Sequence, residues 1–520
     1  YGCISADRGD GMDENDAVEL AVTHLAARGF SDICSSELEH QLFSTFKNEI
    51  VAEVTRHIRL DNVSEMKFRP VHYLLTPKNR YVFDYRRAAI VSPMCLAKYT
   101  ALVLLAAPTI EAHRIPESEK RVFSARFKPS GVEVFASDVN YAAWRERTKE
   151  LASNPECKFI VHCDIASFYD RINIHRVEST LLSIGVDKKL AGKINNLLLF
   201  STKKDSYGIP VGNVASRIVA EASLIDIDNY LCSEKVEFTR YVDDFRLFAP
   251  DIVTAQIWLS KLNTRLSRDG LVLNTAKTKL LAVRNAEDVD SHLDKREHDD
   301  AEKVLRSVNK LTGGYNRIVR TFILPASDKH AAFQKIDINL ELKALEDFKI
   351  VEFDSVQKMV VATLVQKKFE VLPILADTCR KHMYALDYFV DMLIRNGDLI
   401  PDDVRTQIRE FFASVIREKG FGTFEWHEAT LSRLFSNEKY FCKTSLFNIV
   451  KLITKETTTY PAVIALKGLV GKLSRSEFRT LRDWFDRADE WERRLMLEAS
   501  VVLPEEERKA WLKSIKAGCV

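Results

Sequence analysis

The sequence predicts a mixed α+β region followed by an all-α region, and three observations lead to this fold class. Apolar residues recur at helical spacing within residues 1–60. Short apolar strands alternate with helical segments between residues 156 and 283, as they do in α+β domains. No glycine occurs between Gly314 and Gly397, and helical spacing continues beyond that stretch, so we expect helices there.

Each element has its own pattern. Runs rich in β-branched and aromatic residues, bounded by turn signals, predict strands, and apolar residues three or four apart predict helices. In chain order these are strands Val71–Leu75 and Tyr81–Phe83, helix Leu96–Ala107, strands Phe159–Val161, Phe238–Val242 and Phe245–Phe248, and helices Val356–Lys368, Tyr384–Asn396 and Asp403–Arg417. A capping box, Ser474 to Glu477, opens a last helix that continues through Phe485.

Residues 291–300 hold six charged residues in ten, which is typical of a solvated linker. With that linker we expect three parts, namely residues 1–155, 156–288 and 289–520. For the last part, a solenoid of HEAT-like helical repeats is an arrangement that the spacing allows.

Composition narrows the function classes. Lysine and arginine number 76 against 74 acidic residues, for a net charge of +2, which argues against a histone-like protein but allows a local basic channel. Nine cysteines without a CxxC pair argue against a zinc site or a disulfide framework. Neither a signal segment nor 18 uninterrupted apolar residues are present, so we expect a cytoplasmic protein with no membrane partner.

Two adjacent acids, Asp243 and Asp244, lie between two aromatic-rich strands and predict a hairpin with carboxylates at its tip. Hard cations such as Mg²⁺ take oxygen ligands, and two unpaired carboxylates in a cleft repel each other. Aromatic-x-Asp-Asp arises by chance in about one in four chains of this length, so this motif alone favours a solvated turn.

A third acid, Asp164, ends the apolar strand that begins at Phe159. An acid that emerges from a buried strand needs a partner or a metal. Two-metal phosphoryl transfer requires carboxylates from different strands that converge on cations about 3.5–4 Å apart. Asp164 and Asp243 can supply them, with Asp244 as the weaker third member.

These two acidic segments resemble motifs A and C of the reverse transcriptase palm. Gly208–Arg217 resembles motif B and Leu271–Lys279 resembles motif D, both in the expected order. Upstream of the palm, two segments resemble the fingers motifs of the same family. They are Pro77-Lys78 together with Arg86-Arg87, and Val122–Pro129. Six ordered motifs across about 200 residues favour a polymerase over a solvated turn. The resemblance implies an α+β right-hand polymerase of fingers and palm ahead of the helical region.

The resemblance also assigns roles. It implies two Mg²⁺ ions, with Mn²⁺ as an alternative, held by Asp164, Asp243 and Asp244 as catalytic metal ligands and by Ile165 as a further metal position. Lys277 would be the acid that protonates pyrophosphate, and Tyr169 would be the steric gate for dNTPs. The remaining residues would contact the substrates: Gly212 and Ser216 as supports of the nascent base pair, and Lys78, Arg86, Arg87 and Arg126 as triphosphate or template contacts. Phe168 is expected in the core. Strand alternation would place Lys279 on the same face as Lys277, so Lys279 stays an alternative.

One branch of the family is closest in layout. Val211 stands where many reverse transcriptases have Gln, which removes a polar contact to the incoming base pair and leaves template dependence open. The motif B sequence and the large helical region resemble the bacterial abortive-infection and defence-associated reverse transcriptases, the group of AbiA and AbiK. This resemblance implies antiphage defence, a homo-oligomer, and DNA synthesis that is untemplated or protein-primed. The implied partners are dNTPs and RNA or single-stranded DNA, including a non-coding RNA.

Two alternatives remain open from the sequence. A retron-type or mobile-element reverse transcriptase that copies a dedicated RNA would share every palm motif. In the second alternative, the helical region is the effector or sensor, and the palm mainly binds nucleic acid.

Overall fold

The computed structural model describes residues 12–30, 37–78, 85–283, 300–301, 304–305, 324–347, 351–418, 425–451, 460–486, 488 and 490–515. These residues fall into two compact units. Unit 1 contains the described residues up to 73 and from 87 to 283, and unit 2 contains residues 74–78, 85–86 and those from 300 onward. The predicted strand Tyr81–Phe83, most of the charged segment 291–300 and the predicted boundary at 288/289 lie outside the described residues.

Unit 1 begins with three helices, as the helical spacing predicts. They are α1 (Glu14–Arg28), α2 (Glu37–Thr45) and α3 (Lys47–Ile58). Asp13 caps α1 by accepting a hydrogen bond from the backbone N–H of Asn15, and Ala17, Val18 and Ala21 are buried along one side. The next elements in the chain are two strands, β1 (His72–Pro77) and β2 (Tyr85–Ile90), of which residues 74–77 and 85–86 belong to unit 2.

The central helix of unit 1 is α4 (Pro93–His113), which extends the predicted Leu96–Ala107 at both ends. It packs against α1 and α3 and against two palm helices introduced below. By length and composition α4 could cross a membrane, but 78% of its apolar window is buried inside the unit. Burial in a protein core therefore accounts for its apolar residues.

The remaining elements of unit 1 form the palm and its supports. They are β3 (Phe127–Ser130), β4 (Glu133–Phe135), α5 (Tyr141–Ala152), β5 (Phe159–Asp164), α6 (Phe168–Arg171), α7 (Ile174–Ser183), α8 (Lys188–Ser201), α9 (Val214–Ala222), α10 (Ile225–Ser233), β6 (Phe238–Tyr241), β7 (Asp244–Ala249), α11 (Ile252–Arg268) and β8 (Lys279–Ala282). The predicted palm strands are present. The β3–β4 hairpin was not predicted, because its strands are too short to show a period. Of the helices named here, α8 and α9 are the two that pack against α4.

The palm sheet has the antiparallel order β6-β7-β5-β8. Val161 lies opposite Leu247, and both face a core that extends from the N-terminal helices to the palm. Ile160 and Phe248 alternate to the other face, where they pack in a second cluster. The predicted division at 155/156 lies within unit 1, where α5 packs against β6. The boundary at 155/156 therefore stays a prediction. The two clusters anchor the palm sheet on both of its faces.

Unit 2 is largely helical in its described residues, as predicted. Its helices are α12 (Ala331–Gln334), α13 (Ile338–Asp347), α14 (Phe353–Gln366), α15 (Leu372–Lys381), α16 (Leu386–Arg395), α17 (Asp402–Val415), α18 (Glu425–Ser436), α19 (Lys443–Lys451), α20 (Tyr460–Leu469), α21 (Arg475–Arg482), α22 (Glu490–Ala499) and α23 (Glu505–Ser514). The capping box of Ser474 and Glu477 is formed, but its helix ends at Arg482 rather than Phe485. Along this unit α12, α14, α16, α18, α20 and α22 each pack against the next member of the series.

Candidate active site

The structure brings the three predicted acids together at one end of the palm sheet. Asp164 is the last residue of β5 and lies directly opposite Asp244, the first residue of β7. Asp243 lies in the two-residue turn between β6 and β7. One carboxylate oxygen of each residue lies within 4.8 Å of the others. Two strands and one tight turn therefore place three negative charges at a single point.

Backbone hydrogen bonds hold this arrangement. The Ile165 N–H donates to the carbonyl of Asp243 at 3.2 Å, and the Asn274 N–H donates to the carbonyl of Asp164 at 2.7 Å. Ile165 is 1% exposed, so the group it can offer to a metal is its backbone carbonyl. Motifs A, C and D are thus joined through their main chains.

Burial and mutual repulsion together set the electrostatics of the triad. Burial is the larger cause and the negative charges of Asp244 and Asp164 add to it, so that the pKa of Asp243 rises to about 7. The ammonium of Lys277 acts in the opposite direction. A cluster of carboxylate oxygens that resists deprotonation fits a divalent hard cation, which supplies the missing positive charge.

Lys277 binds the first acid directly. Its Nζ lies 2.9 Å from Oδ1 and 3.0 Å from Oδ2 of Asp164, and Asn274 Nδ2 donates to Oδ2 at 3.3 Å. Lys277 belongs to a turn before β8, so strand alternation does not relate it to Lys279. Lys279 lies instead in β8, opposite His162. Of the two lysines that the sequence left open, Lys277 is the one at the acids.

The motif B loop is attached to the short helix α6, which carries Tyr169. Ile209 N–H donates to the Tyr169 carbonyl at 3.0 Å, and Gly208 N–H donates to the Ile172 carbonyl at 2.9 Å. Gly208 has φ +93°, a left-handed conformation that favours glycine. Tyr169 is half-buried.

Two further residues of these motifs have clear positions. Phe168 is 3% exposed and lies in the core, as predicted. Gly212 has φ +96° and precedes Asn213, whose side chain caps α9. A left-handed conformation at this position favours glycine, and it lets the loop turn directly into the helix.

Two predicted substrate contacts are buried instead. Arg126 is 2% exposed, and its guanidinium donates to the carbonyls of Val122 and Ile115 and to Glu111. Ser216 is fully buried, with its Oγ 3.2 Å from the hydroxyl of Tyr99. Their polar groups are used inside the protein, which corrects the expectation that they face the substrate.

The predicted basic residues of the fingers are exposed. Lys78 and Arg86 belong to unit 2, and Arg87 belongs to unit 1. The Arg87 guanidinium stacks 3.8 Å from the ring centre of Tyr73. Their binding of template or triphosphate stays a prediction.

The sequence-based prediction missed two residues that touch the site. Asn274, inside motif D, contacts Asp164 through both its backbone and its amide. Arg240, in β6, donates to the carbonyl of Val242 at 2.9 Å, next to Asp243. The signal for Arg240 was a single charged residue inside an otherwise buried strand, since a fully buried charge must be paired.

Residues 105–312 match the family described as reverse transcriptase (RNA-dependent DNA polymerase). This segment is a reverse transcriptase domain. It contains the three aspartates, the motif B loop and Lys277, so the acid cluster lies where an RNA-directed DNA polymerase carries out its chemistry.

Solved structures with similar chains include two telomerases. One, from Candida albicans in complex with a TWJ fragment of telomeric RNA, is 12% identical with a TM-score of 0.31, and the match covers 75% of this chain and 71% of that one. The apo telomerase from Candida tropicalis is 11% identical with a TM-score of 0.34, covering 75% and 72%. A comparison with curated protein sequences gives no match.

Metal binding should release protons. Because Asp243 holds a proton up to about pH 7, a divalent cation competes with that proton, and Mg²⁺ affinity should rise about tenfold between pH 6 and pH 8. A group whose pKa is raised on folding favours the folded state at low pH, so the contribution of Asp243 to metal-free stability should fall as pH rises from 3.8 toward 7. Calorimetry in two buffers of different ionisation enthalpy measures the release. A pH-independent affinity would contradict this prediction.

Lys277 should compete with the metal for Asp164. Replacing it by Met removes a cation that lies 2.9 Å from the carboxylate, so Mn²⁺ should bind roughly threefold to tenfold more tightly. Electron paramagnetic resonance of free Mn²⁺ measures the affinity. Lys279→Met is the matched control, because it removes the same charge two residues away, and it should change the affinity less. Weaker binding by Lys277→Met would oppose this prediction.

Proposed function

We propose that the reverse transcriptase domain adds dNTPs to a 3′-hydroxyl by two-metal nucleotidyl transfer. The observation that supports this mechanism is the convergence of Asp164, Asp243 and Asp244 within 4.8 Å. Oxygen ligands from different strands are what two-metal phosphoryl transfer requires. Bound Mg²⁺ would supply charge that activates the attacking hydroxyl and stabilises the triphosphate.

The chain's own residues would bind the metal ions and orient the nucleotide. The three carboxylates would hold the cations, and the backbone carbonyl of Ile165 would be a further oxygen ligand. Lys277, whose Nζ lies 2.9 Å from Oδ1 of Asp164, would be the proton donor for the leaving pyrophosphate. Tyr169, fixed through its carbonyl by the motif B loop, selects dNTPs by excluding a ribose 2′-hydroxyl.

Loss of the turn acids should abolish synthesis. Asp243→Ala with Asp244→Ala should lower dNTP incorporation by roughly a hundredfold or more, because preorganised charge at the reacting phosphate is lost. Removing like charges relieves repulsion, so thermal stability should not fall. The measurement is incorporation of labelled dNTPs, with and without an added RNA template. Asp138→Ala, an exposed carboxylate outside the site, is the control, and undiminished synthesis by the double variant would refute the mechanism.

We further propose that this polymerase acts in bacterial defence against phage. Support comes from the motif B sequence and from the helical unit that follows the palm. The succession of contacts from α12 to α22 resembles stacked helix pairs, which favours helical repeats of the HEAT type. A cytoplasmic homo-oligomer that binds RNA or single-stranded DNA fits this role, with synthesis that is untemplated or protein-primed.

Purification from expressing bacteria tests this part. Sequencing the nucleic acid that is bound or covalently attached should give a random or homopolymeric tract, and phage challenge should show protection that Asp243→Ala abolishes. A defined sequence complementary to one RNA would support a retron-type enzyme instead. Protection that survives loss of the aspartates would support a helical effector whose palm binds nucleic acid.

A further inference from the structure

The turn that carries Asp243 is strained. Val242 is the first of two residues between β6 and β7, and its φ is +56°. Two-residue hairpin turns usually place Gly, Asn or Asp at such a position. For a β-branched residue a left-handed conformation is unfavourable, because Cβ comes too close to the neighbouring carbonyl oxygen. Some other interaction must therefore hold Val242 in place.

Arg240 provides that interaction. Its side chain is fully buried, and Nη1 donates to the carbonyl oxygen of Val242 at 2.9 Å. That carbonyl belongs to the peptide unit that joins Val242 to Asp243. The guanidinium thus fixes the orientation of the peptide plane immediately before the acid.

Arg240 is itself held from two helices. Asp228 of α10 accepts from Nε at 2.9 Å and from Nη2 at 2.5 Å. Glu221 of α9 accepts from Nη2 at 2.8 Å and from Nη1 at 3.3 Å. Both acids are nearly fully buried. The planar fork of arginine satisfies two carboxylates and one carbonyl at once, which a lysine ammonium does not.

The backbone of Arg240 is fixed as well. Its N–H donates to the carbonyl of Arg121 at 2.7 Å, and its carbonyl accepts from the N–H of Phe123 at 3.0 Å. Glu221 is also shared, since Arg114 Nη2 and Ser124 Oγ donate to it. Rotation of the Arg240 side chain would remove a guanidinium from two buried carboxylates, those of Asp228 and Glu221, which is costly.

We propose that Arg240 is a positioning residue of the polymerase, which clamps the strained Val242–Asp243 peptide so that the Asp243 carboxylate stays beside Asp164 and Asp244. The clamp consists of Arg240, Glu221 and Asp228. It acts through the turn, by way of the Val242 carbonyl. This inference rests on the proposed function of the triad as a metal site.

The clamp predicts a specific response to substitution. Arg240→Lys keeps the buried charge but loses the fork, so Val242 can relax and carry Asp243 away. Mn²⁺ affinity should weaken about tenfold, the equivalent of about 1.4 kcal/mol of released strain. The rate kcat should fall by a similar factor, with a smaller change in KM for dNTPs. Adding Val242→Gly removes the strain, so it should restore most of the affinity.

Arg114→Lys is the matched control. Arg114 is a buried arginine on the same Glu221, yet its contacts run to Ser124, Ala125 and Glu111 rather than to the turn. Its replacement should lower thermal stability while Mn²⁺ affinity stays unchanged. If Arg240→Lys behaves like Arg114→Lys, with lower stability and unchanged Mn²⁺ affinity, Arg240 is merely structural and the clamp is refuted.

A milder variant covers the case in which Arg240→Lys does not fold. Asp228→Asn keeps a hydrogen-bond acceptor beside Arg240 but removes one charge from the clamp, and it should weaken Mn²⁺ binding about threefold, again with rescue by Val242→Gly. Unchanged binding by this variant, or no rescue, would contradict the proposal. Wild-type protein that binds Mn²⁺ but makes no DNA would contradict the proposed function alone.

Discussion

The structure of the reverse transcriptase domain depends on holding three carboxylates within 4.8 Å of one another. Like charges at that separation repel strongly wherever water is partly excluded. Burial and this repulsion together raise the pKa of Asp243, and the positive charge of Lys277, which binds Asp164, acts in the opposite direction. Left to itself the turn would move its acid toward solvent, so the surrounding palm must resist this movement.

The resistance to this movement comes from a group of paired charged side chains whose net charge is zero. Behind the turn, the guanidiniums of Arg114, Arg126 and Arg240 meet the carboxylates of Glu111, Glu221 and Asp228. Burial alone would raise the pKa of Glu221, but Arg240 and Arg114 lower it, so the carboxylate stays charged and keeps its hydrogen bonds. Buried ion pairs of this kind add little net stability and mainly favour one arrangement over others.

How much of the structure the sequence could predict depends on how far apart along the chain the interacting residues lie. The adjacent acids alone favoured a solvated turn, and it was the six ordered motifs shared with reverse transcriptases that predicted that Asp164, Asp243 and Asp244 meet. The predicted substrate contact of Arg126 failed because its guanidinium donates to the carbonyls of residues 115 and 122. No local sequence pattern reveals the direction of those carbonyls. Lys277 was preferred to Lys279, but strand alternation kept Lys279 as an alternative, because it assumed a strand that already includes residue 277, whereas β8 begins at Lys279.

Strain and function coincide at Val242 for a geometric reason. A longer or more flexible turn would satisfy its backbone without cost, but it would let Asp243 sample many positions relative to Asp244. A two-residue turn leaves the acid no such freedom once its preceding peptide is fixed. The same turn must face the cleft, so it cannot be packed from the substrate side. The turn must therefore be held from the interior. There the fully buried guanidinium of Arg240 donates both to the Val242 carbonyl and to one carboxylate on each of helices α9 and α10.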